Sequence, residues 1–541
     1  MTDYRHAHAT FELTAVAQRF AGDLEQGVNA CVECCDRHPQ AAPALHWENA
    51  EGASGAMTFA ELRASAARFA NLLVDLGVKP GDVVAGLLPR APELLVTILG
   101  TWRAGAVYQP LFTAFGPKAI THRLDLSQAR VVVTDLTNRA KVETLPQGAT
   151  VVVVNGGSEA ETADGDLDFK EALARQPDAF DPVLRRGSDG LMMMATSGTT
   201  GLPKAVMVPL RALAAFDVYM REAVDLRPDD RFWNIADPGW AYGLYYAVAG
   251  PLLLGCATRF LDGPFTAERA YDFIRRTGVT NLAGSPTAFR LMMTAEDAAA
   301  AIRGQLRVVS SAGEPLTPAV IEWFGRHLDV PIFDHYGQTE TGMVVNNHHG
   351  LAHPVRPGSA GFAMPGYRVV VLDETGNPAP ADTPGDLAVD VAASPLMFFP
   401  GYWNHPTEAI SNGFYRTGDT VEMDAEGRVT FVGRSDDVIT SSGYRIGPFD
   451  VESALAEHPD VLDCAVIGVP DPQRTEIVKA FIVLKPGRTA SDALAETLRS
   501  LVKTRLSAHA YPREIAFVQD LPKTPSGKVQ RFLLRQQSRE D

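Results

Sequence analysis

The stretch "TSGTTGLPK" (Thr196–Lys204) follows directly on the apolar run "LMMMA" (Leu191–Ala195), so a glycine- and hydroxyl-rich loop leaves the end of a buried strand. Glycines let backbone N–H groups come close to an oxyanion, Thr196, Ser197, Thr199 and Thr200 add hydroxyl donors, and Lys204 adds charge. The loop is predicted to hold phosphate. Its spacing, Gly198-x-x-Gly201-x-x-Lys204, departs from the Gly-x4-Gly-Lys-Ser/Thr of P-loop kinases and ATPases, which excludes that class.

Around the loop the chain alternates helix and strand. In "ELRASAARFANLLVDLGVKPGDVVAGLLP" (61–89), Leu62, Ala66, Phe69, Leu73 and Leu76 follow a helical period, and Gly77 and Pro80–Gly81 close it before a buried strand from Val83 to Leu88. The same alternation returns in "PELLVTILGTWRAG" with "AVYQP", then in "VVVT" at 131 and "VVVV" at 151, which predicts a large α/β region with mostly parallel sheets. Beyond "FVGRSDDVITSSGYRIG" (431–447) the pattern changes to a helix "DVESALAEH", strands "DCAVIGVP" and "AFIVL", and a further helix. The expected architecture is an N-terminal α/β domain over 1–435 and a small, mobile α+β domain over 436–541, hinged near Asp436 in a polar, turn-rich segment.

Composition limits the partners. The 541 residues carry 49 Lys and Arg against 65 Asp and Glu, a formal charge of −16, which argues against nucleic acid or an anionic membrane surface as partner. Cys31, Cys34, Cys35, Cys256 and Cys464 are too few for a disulfide framework, which points to a reducing cytoplasm, and the Cys31-x-x-Cys34-Cys35 group lacks a second ligand pair for zinc. The N-terminus lacks the basic and apolar regions of a signal peptide. Residues 238–258 are uncharged, but Gly239, Gly243, Gly250, Pro251 and Gly255 interrupt them, so they read as buried core and not as a membrane span. An assembly of identical copies stays open.

Five further segments accompany the loop in order: "SSAGEPL" (310–316), "DHYGQTETG" (334–342), "FYRTGD" (414–419), "GRSDDVITSSGYRIG" (433–447) and "PKTPSGKVQR" (522–531). Together, over about 29–531, they resemble the adenylate-forming superfamily of acyl-CoA synthetases, luciferases and peptide-synthetase adenylation domains. "ADPGWAYG", "YGQTET", "FFPGYWNHPTEA" and "GPFDVESALAEHPDV" are most similar to the acetyl-CoA and medium-chain acyl-CoA synthetase branch.

The resemblance implies a ligase that joins a carboxylic acid to ATP, releases pyrophosphate, and passes the acyl group to coenzyme A, with Mg²⁺ as cofactor. It implies that Thr196 to Lys204 wrap the leaving phosphates, that Glu340 holds Mg²⁺, and that Thr339 bonds the α-phosphate. Gly313, Glu314, Pro315 and Tyr336 would form the adenine slot within the nucleotide run Asp334, His335, Tyr336, Gly337 and Gln338; Asp419 would take the ribose hydroxyls, with Arg434 beside it. Lys528 would be the catalytic lysine of the small domain, Asp436 the hinge, and Ser442, Gly443, Tyr444 and Arg445 the coenzyme A contact.

For the acid, Trp240, Ala241, Tyr242, Ala312 and Gly337 are the expected lining, with glycine at 337 opening a cavity that acetate-selective relatives cap with tryptophan. A medium-chain, branched or aromatic monocarboxylate is expected. His348 and His349 read as a solvent-facing loop pair, since a metal site needs more ligands. Two rival readings stand beside this one: loading of a carrier-protein pantetheine, and a catalytically silent nucleotide-binding protein on the same fold.

Overall fold

The computed structural model describes residues 1–155, 163, 165–196, 203–441, 444–471, 474–506, 509–524 and 528–540. Near the start, helix α1 (Phe59–Asp75) is fixed by a capping box, in which the Thr58 hydroxyl accepts from the Glu61 N–H and Glu61 reciprocates. Such a cap is worth about 1 kcal/mol. Leu62, Ala66, Phe69 and Leu73 form its buried stripe, as the period requires, and the helix ends just before Leu76.

The first sheet has seven strands. Val107–Pro110, Val83–Leu87, Val131–Asp135, Thr150–Val154 and Leu167–Asp168 run parallel beside β1 (Gly190–Ala195), and β2 (Ala205–Pro209) pairs antiparallel with β1 at the edge. A second sheet carries β3 (Val308–Ala312) and β4 (Ile332–Gln338) in parallel, then β5 (Gly342–Asn346) antiparallel to β4. A third sheet, antiparallel, includes β6 (Phe414–Met423) and β7 (Val429–Arg434). The uncharged 238–258 run is a buried helical stretch between these layers, and no described helix is long and apolar enough to cross a membrane. At the N-terminus, Thr2–Asp3 pairs with Leu351–Ala352.

From Ile439 onward the chain has its own core, built on Val451, Leu455, Val466, Ala480, Ile482 and Leu498. Its long hairpin, β8 (Val461–Asp471) with Thr475–Leu484, packs against helices Pro448–Ala456 and Asp492–Arg505, giving a small α+β unit, the lid. The last helix, Arg531–Glu540, is tied into this unit by Arg531 to Glu452 at 2.7 Å and Arg535 to Asp437 at 2.6 Å. Body and lid meet at an aromatic pair, Phe431 with Phe449 at 6.3 Å, and at a chain of charges in which Arg290 lies 3.2 Å from Glu314 and 4.0 Å from Asp463, which Lys523 approaches to 2.6 Å.

Candidate functional site

The hairpin of β1 and β2 explains where the phosphate loop stands. Ala195 pairs with Ala205, and the Thr196 N–H and hydroxyl both donate to the Lys204 carbonyl, at 2.8 and 3.2 Å, so the loop's two ends are pinned together. Ser197, Gly198, Thr199, Thr200 and Gly201 lie outside the described residues. Beside the hairpin, the Trp403 N–H donates to the Ala205 carbonyl at 2.8 Å. The Lys204 ammonium stands 5.0 Å from the centre of the Tyr402 ring, a cation–π distance, and the Tyr402 hydroxyl donates to Glu340 Oε1 at 2.9 Å. Tyr402 thus links the loop's cation to the carboxylate.

Asp419 sits in a second frame. On β6 it pairs with Arg434 of β7, whose guanidinium is 3.1 Å from Oδ1. Its Oδ2 accepts from the Tyr336 hydroxyl and, at 2.8 Å, from Gln338 Nε2; the Tyr415 hydroxyl fixes the Gln338 amide by donating to Oε1 at 2.8 Å. Gly418, inside β6 with φ +72°, sets the backbone just before Asp419 in a conformation that side chains disfavour.

Glu340 and Asp419 are only 8% and 4% exposed, and burial raises both carboxyl pKa values. Arg434 and the Lys528 ammonium pull both back down. Lys528 is itself exposed, its backbone bonded to Thr524 by Thr524 N–H to the Lys528 carbonyl at 2.7 Å and Lys528 N–H to Thr524 Oγ1 at 3.1 Å, yet its charge reaches both acids. One buried carboxylate beside a phosphate loop suits Mg²⁺, which takes one or two carboxylates and completes its shell with phosphate and water oxygens.

Strand pairing sorts the run 334–339. Asp334 and Tyr336 share one face of β4. The Asp334 Oδ2 accepts from the Leu316 N–H at 3.3 Å, its buried Oδ1 has no partner among the described residues, and burial pushes its pKa up to about 8. His335 points the other way and departs from the nucleotide role expected for it: the Tyr219 hydroxyl meets its Nδ1 at 2.8 Å and its Nε2 meets the Asn347 carbonyl at 3.0 Å. The Thr339 carbonyl accepts from the Tyr245 hydroxyl at 3.1 Å. The Glu314 carboxylate is held by the Thr287 hydroxyl at 2.9 Å and by Arg290, so within the expected adenine slot of Gly313, Glu314 and Pro315 this side chain is turned toward the lid junction.

Two expectations need correction. Gly337 borders no cavity on its Cβ side: a Cβ there would lie 2.2 Å from the Gly342 carbonyl, because a bulge between Tyr336 and Gly337 brings β5 against it. His348 and His349 are buried, 1% and 4% exposed. Tyr4 of the N-terminal segment stacks on His348 at 5.5 Å, Phe333 stacks on His349 at 4.1 Å, and burial keeps both imidazoles neutral by lowering their pKa.

Of the remaining lining candidates, Trp240 packs on Phe112 and Phe115 at 5.6 and 5.2 Å, Ala241 and Tyr242 open the buried helical run, and Ala312 pairs with His335 across the ladder. Asp436 lies in the exposed turn after β7, 3.5 Å from Arg434. Ser442 and Gly443 lie outside the described residues, as do the side chains of Tyr444 and Arg445. Tyr402, Tyr415, Tyr219 and Arg290 escaped the sequence reading; only Tyr402 and Tyr415 stood in quoted motifs, "FFPGYW" and "FYRTGD".

The chain matches two family descriptions, AMP-binding enzyme over residues 31–403 and AMP-binding enzyme C-terminal domain over 450–528. It is 38% identical to acetyl-coenzyme A synthetase of Bacillus subtilis (strain 168), covering 99% of this chain and 95% of that one. A crystal structure of Brucella canis acyl-CoA synthetase is 59% identical, with a TM-score of 0.81, covering 100% of this chain and 99% of that one. The anthranilate CoA ligase AuaEII in complex with anthranoyl-AMP is 27% identical, with a TM-score of 0.87, covering 98% and 99%.

Proposed function

The chain belongs to the AMP-binding enzyme family and is an AMP-forming acid–thiol ligase that uses ATP, Mg²⁺ and coenzyme A; on that premise we propose that its acid is a medium-chain, branched or aromatic monocarboxylate and that the residues gathered above carry two half-reactions. In the first, a carboxylate oxygen of the acid attacks the α-phosphorus of ATP and pyrophosphate leaves. Two anions must meet, and at about 4 Å with an effective dielectric near 20 each pair of unit charges costs about 4 kcal/mol. Lys204 and the loop around it take the leaving phosphates. Lys528 stabilises the charge that develops between the carboxylate and the α-phosphate. Glu340 would hold Mg²⁺, which when bound neutralises phosphate charge.

Asp419 receives the ribose hydroxyls through two acceptor oxygens whose positions Tyr336, Gln338 and Arg434 have already set. The orphaned Asp334 Oδ1 lies on the same strand face as Tyr336 and accepts from, or donates to, the base edge. In the second half-reaction the lid turns about Asp436, Lys528 withdraws, and the coenzyme A sulfur attacks the acyl carbon, releasing AMP; Gly443 leaves room for the pantetheine.

The observation that supports the reading is the link from Lys204 through Tyr402 to Glu340, with Glu340 and Asp419 both buried and both within the electrostatic influence of Arg434 and Lys528. An aromatic acid is favoured by the similarity to a neighbour named for anthranilate and by the aromatic walls Trp240, Tyr242 and Tyr246. Five buried free thiols suit a reducing cytoplasm. CoA-dependent AMP release across a panel of carboxylic acids tests the proposal: turnover of benzoates or C4–C8 acids above acetate supports it, and acetate as the best acid overturns the assigned class.

A further inference from the structure

Behind the mouth, Tyr242 and Ala312, both expected to line the acid, bracket a polar group of side chains that no step above uses. Ala312 is paired with His335, and His335 with Asn346, so these three stand in one row on one face of the second sheet. Tyr219 reaches the same face to bond His335, and Tyr246 packs between Tyr219 and Tyr242 at 4.3 and 5.9 Å. Asn346 is fully buried, and among the described residues neither its Oδ1 nor its Nδ2 has a protein partner. The Tyr242 hydroxyl is buried too. It comes close enough to that of Tyr219 for each to perturb the other, yet it completes no hydrogen bond of good geometry. Buried polar atoms are almost always hydrogen-bonded in folded proteins, so a group of orphans at the back of a binding site calls for a partner from outside the chain.

The direction of the protons can be worked out. The Asn347 carbonyl can only accept, so the His335 Nε2 that meets it carries hydrogen. Burial holds His335 neutral, its pKa pushed down to about 3, and its Nδ1 is therefore a bare lone pair. The Tyr219 hydroxyl donates to that lone pair, and its own proton is spent. What Tyr219 shows to the acid side is acceptor capacity alone, while Asn346 and Tyr242 can each accept or donate.

Resting on the ligase reading, we propose that this row reads a hydrogen-bonding substituent on the acid, so that the enzyme selects monocarboxylic acids bearing a hydroxyl or amino donor away from the carboxylate over their unsubstituted parents. Tyr242, Tyr219 and Asn346 are the specificity-determining residues, and His335 positions Tyr219 by fixing its proton. A substrate without the donor leaves the orphans unsatisfied in the complex; a donor satisfies at least one of them. A site built to bond a substrate hydroxyl or amine discriminates against the bare analogue far more strongly than an apolar slot discriminates a methylene, and a preference of at least about tenfold in kcat/KM is expected.

The test compares matched pairs, benzoate with its hydroxy- and aminobenzoates and hexanoate with 6-hydroxyhexanoate, by CoA-dependent AMP release. The wild-type protein should favour a substituted member of at least one pair by about tenfold or more, and Tyr242→Phe, which removes a hydroxyl that holds nothing in the fold, should bring that ratio toward one. Equal or better use of both parents by the wild type overturns the proposal while leaving the ligase intact, as does a ratio unchanged by both Tyr242→Phe and Asn346→Leu. Absence of AMP release with every acid overturns the ligase reading and this inference together.

Discussion

On the body side the site's acceptors are set in a frame. Asp419 takes three donors from two strands, Tyr336 and Gln338 of β4 and Arg434 of β7, and Glu340 is held by Tyr402 against the hairpin of β1 and β2. On the lid side Lys528 stands exposed, its backbone bonded locally to Thr524. The contrast follows from desolvation. A carboxylate out of water needs its hydrogen bonds in place beforehand, since an unsatisfied buried acceptor costs about 1–3 kcal/mol or more. An ammonium that spends part of the cycle in water can travel without such cost, and only its arrival need be arranged.

The severest challenge to this division is Lys528→Ala. Adenylation, read by pyrophosphate exchange, should fall about 10²- to 10³-fold, or about 3 to 4 kcal/mol, with thiolysis of a supplied acyl adenylate within a few fold of the wild type. Equal loss in both would place the lysine in the fold and not in the first half-reaction.

Asp334→Asn probes the body's side. With a folded pKa of about 8, above the ordinary carboxyl value of 3.8, the folded protein keeps a proton that the unfolded chain releases. That contribution is complete below the ordinary value and lost as pH rises through 8. Denaturant titrations at pH 5 and 7 should therefore show the variant gaining about 2 kcal/mol over the wild type between them; parallel stabilities would mean the acid is ionised at neutral pH.

Smaller effects sharpen the lid's side. Asp436→Pro fixes φ in the turn after β7 and should slow thioester formation about tenfold while sparing pyrophosphate exchange, with normal thioester turnover excluding that turn as the pivot. Asp463→Asn weakens the pair with Arg290 across the junction, together with the pair with Lys523 inside the lid, partly exposed contacts each worth less than about 1 kcal/mol. Pyrophosphate exchange should drop about threefold, and a rise instead would show that the tie opposes the adenylating arrangement.

Local signals in the chain were enough for the elements. The apolar run before Thr196, the helical period from Leu62 to Leu76 and the change of pattern past residue 447 each lie within a short window. What escaped depends on pairing between distant segments. A one-residue bulge aims Gly337 at β5, and the N-terminal segment covers His348, so a loop pair that reads as solvated ends up in the core. Tyr219 gains meaning only when its helix and the second sheet meet across 116 positions of sequence. Motifs named the acceptors; only the folded register shows which face each one serves.

The chain's two ends belong to different bodies, Thr2–Asp3 as a strand of the body and Arg531–Glu540 as a helix of the lid. A donor dye near the first and an acceptor near the second would, if the lid turns as proposed, convert each catalytic cycle into a change in energy transfer, so that a single molecule could report the motion without any label in the site.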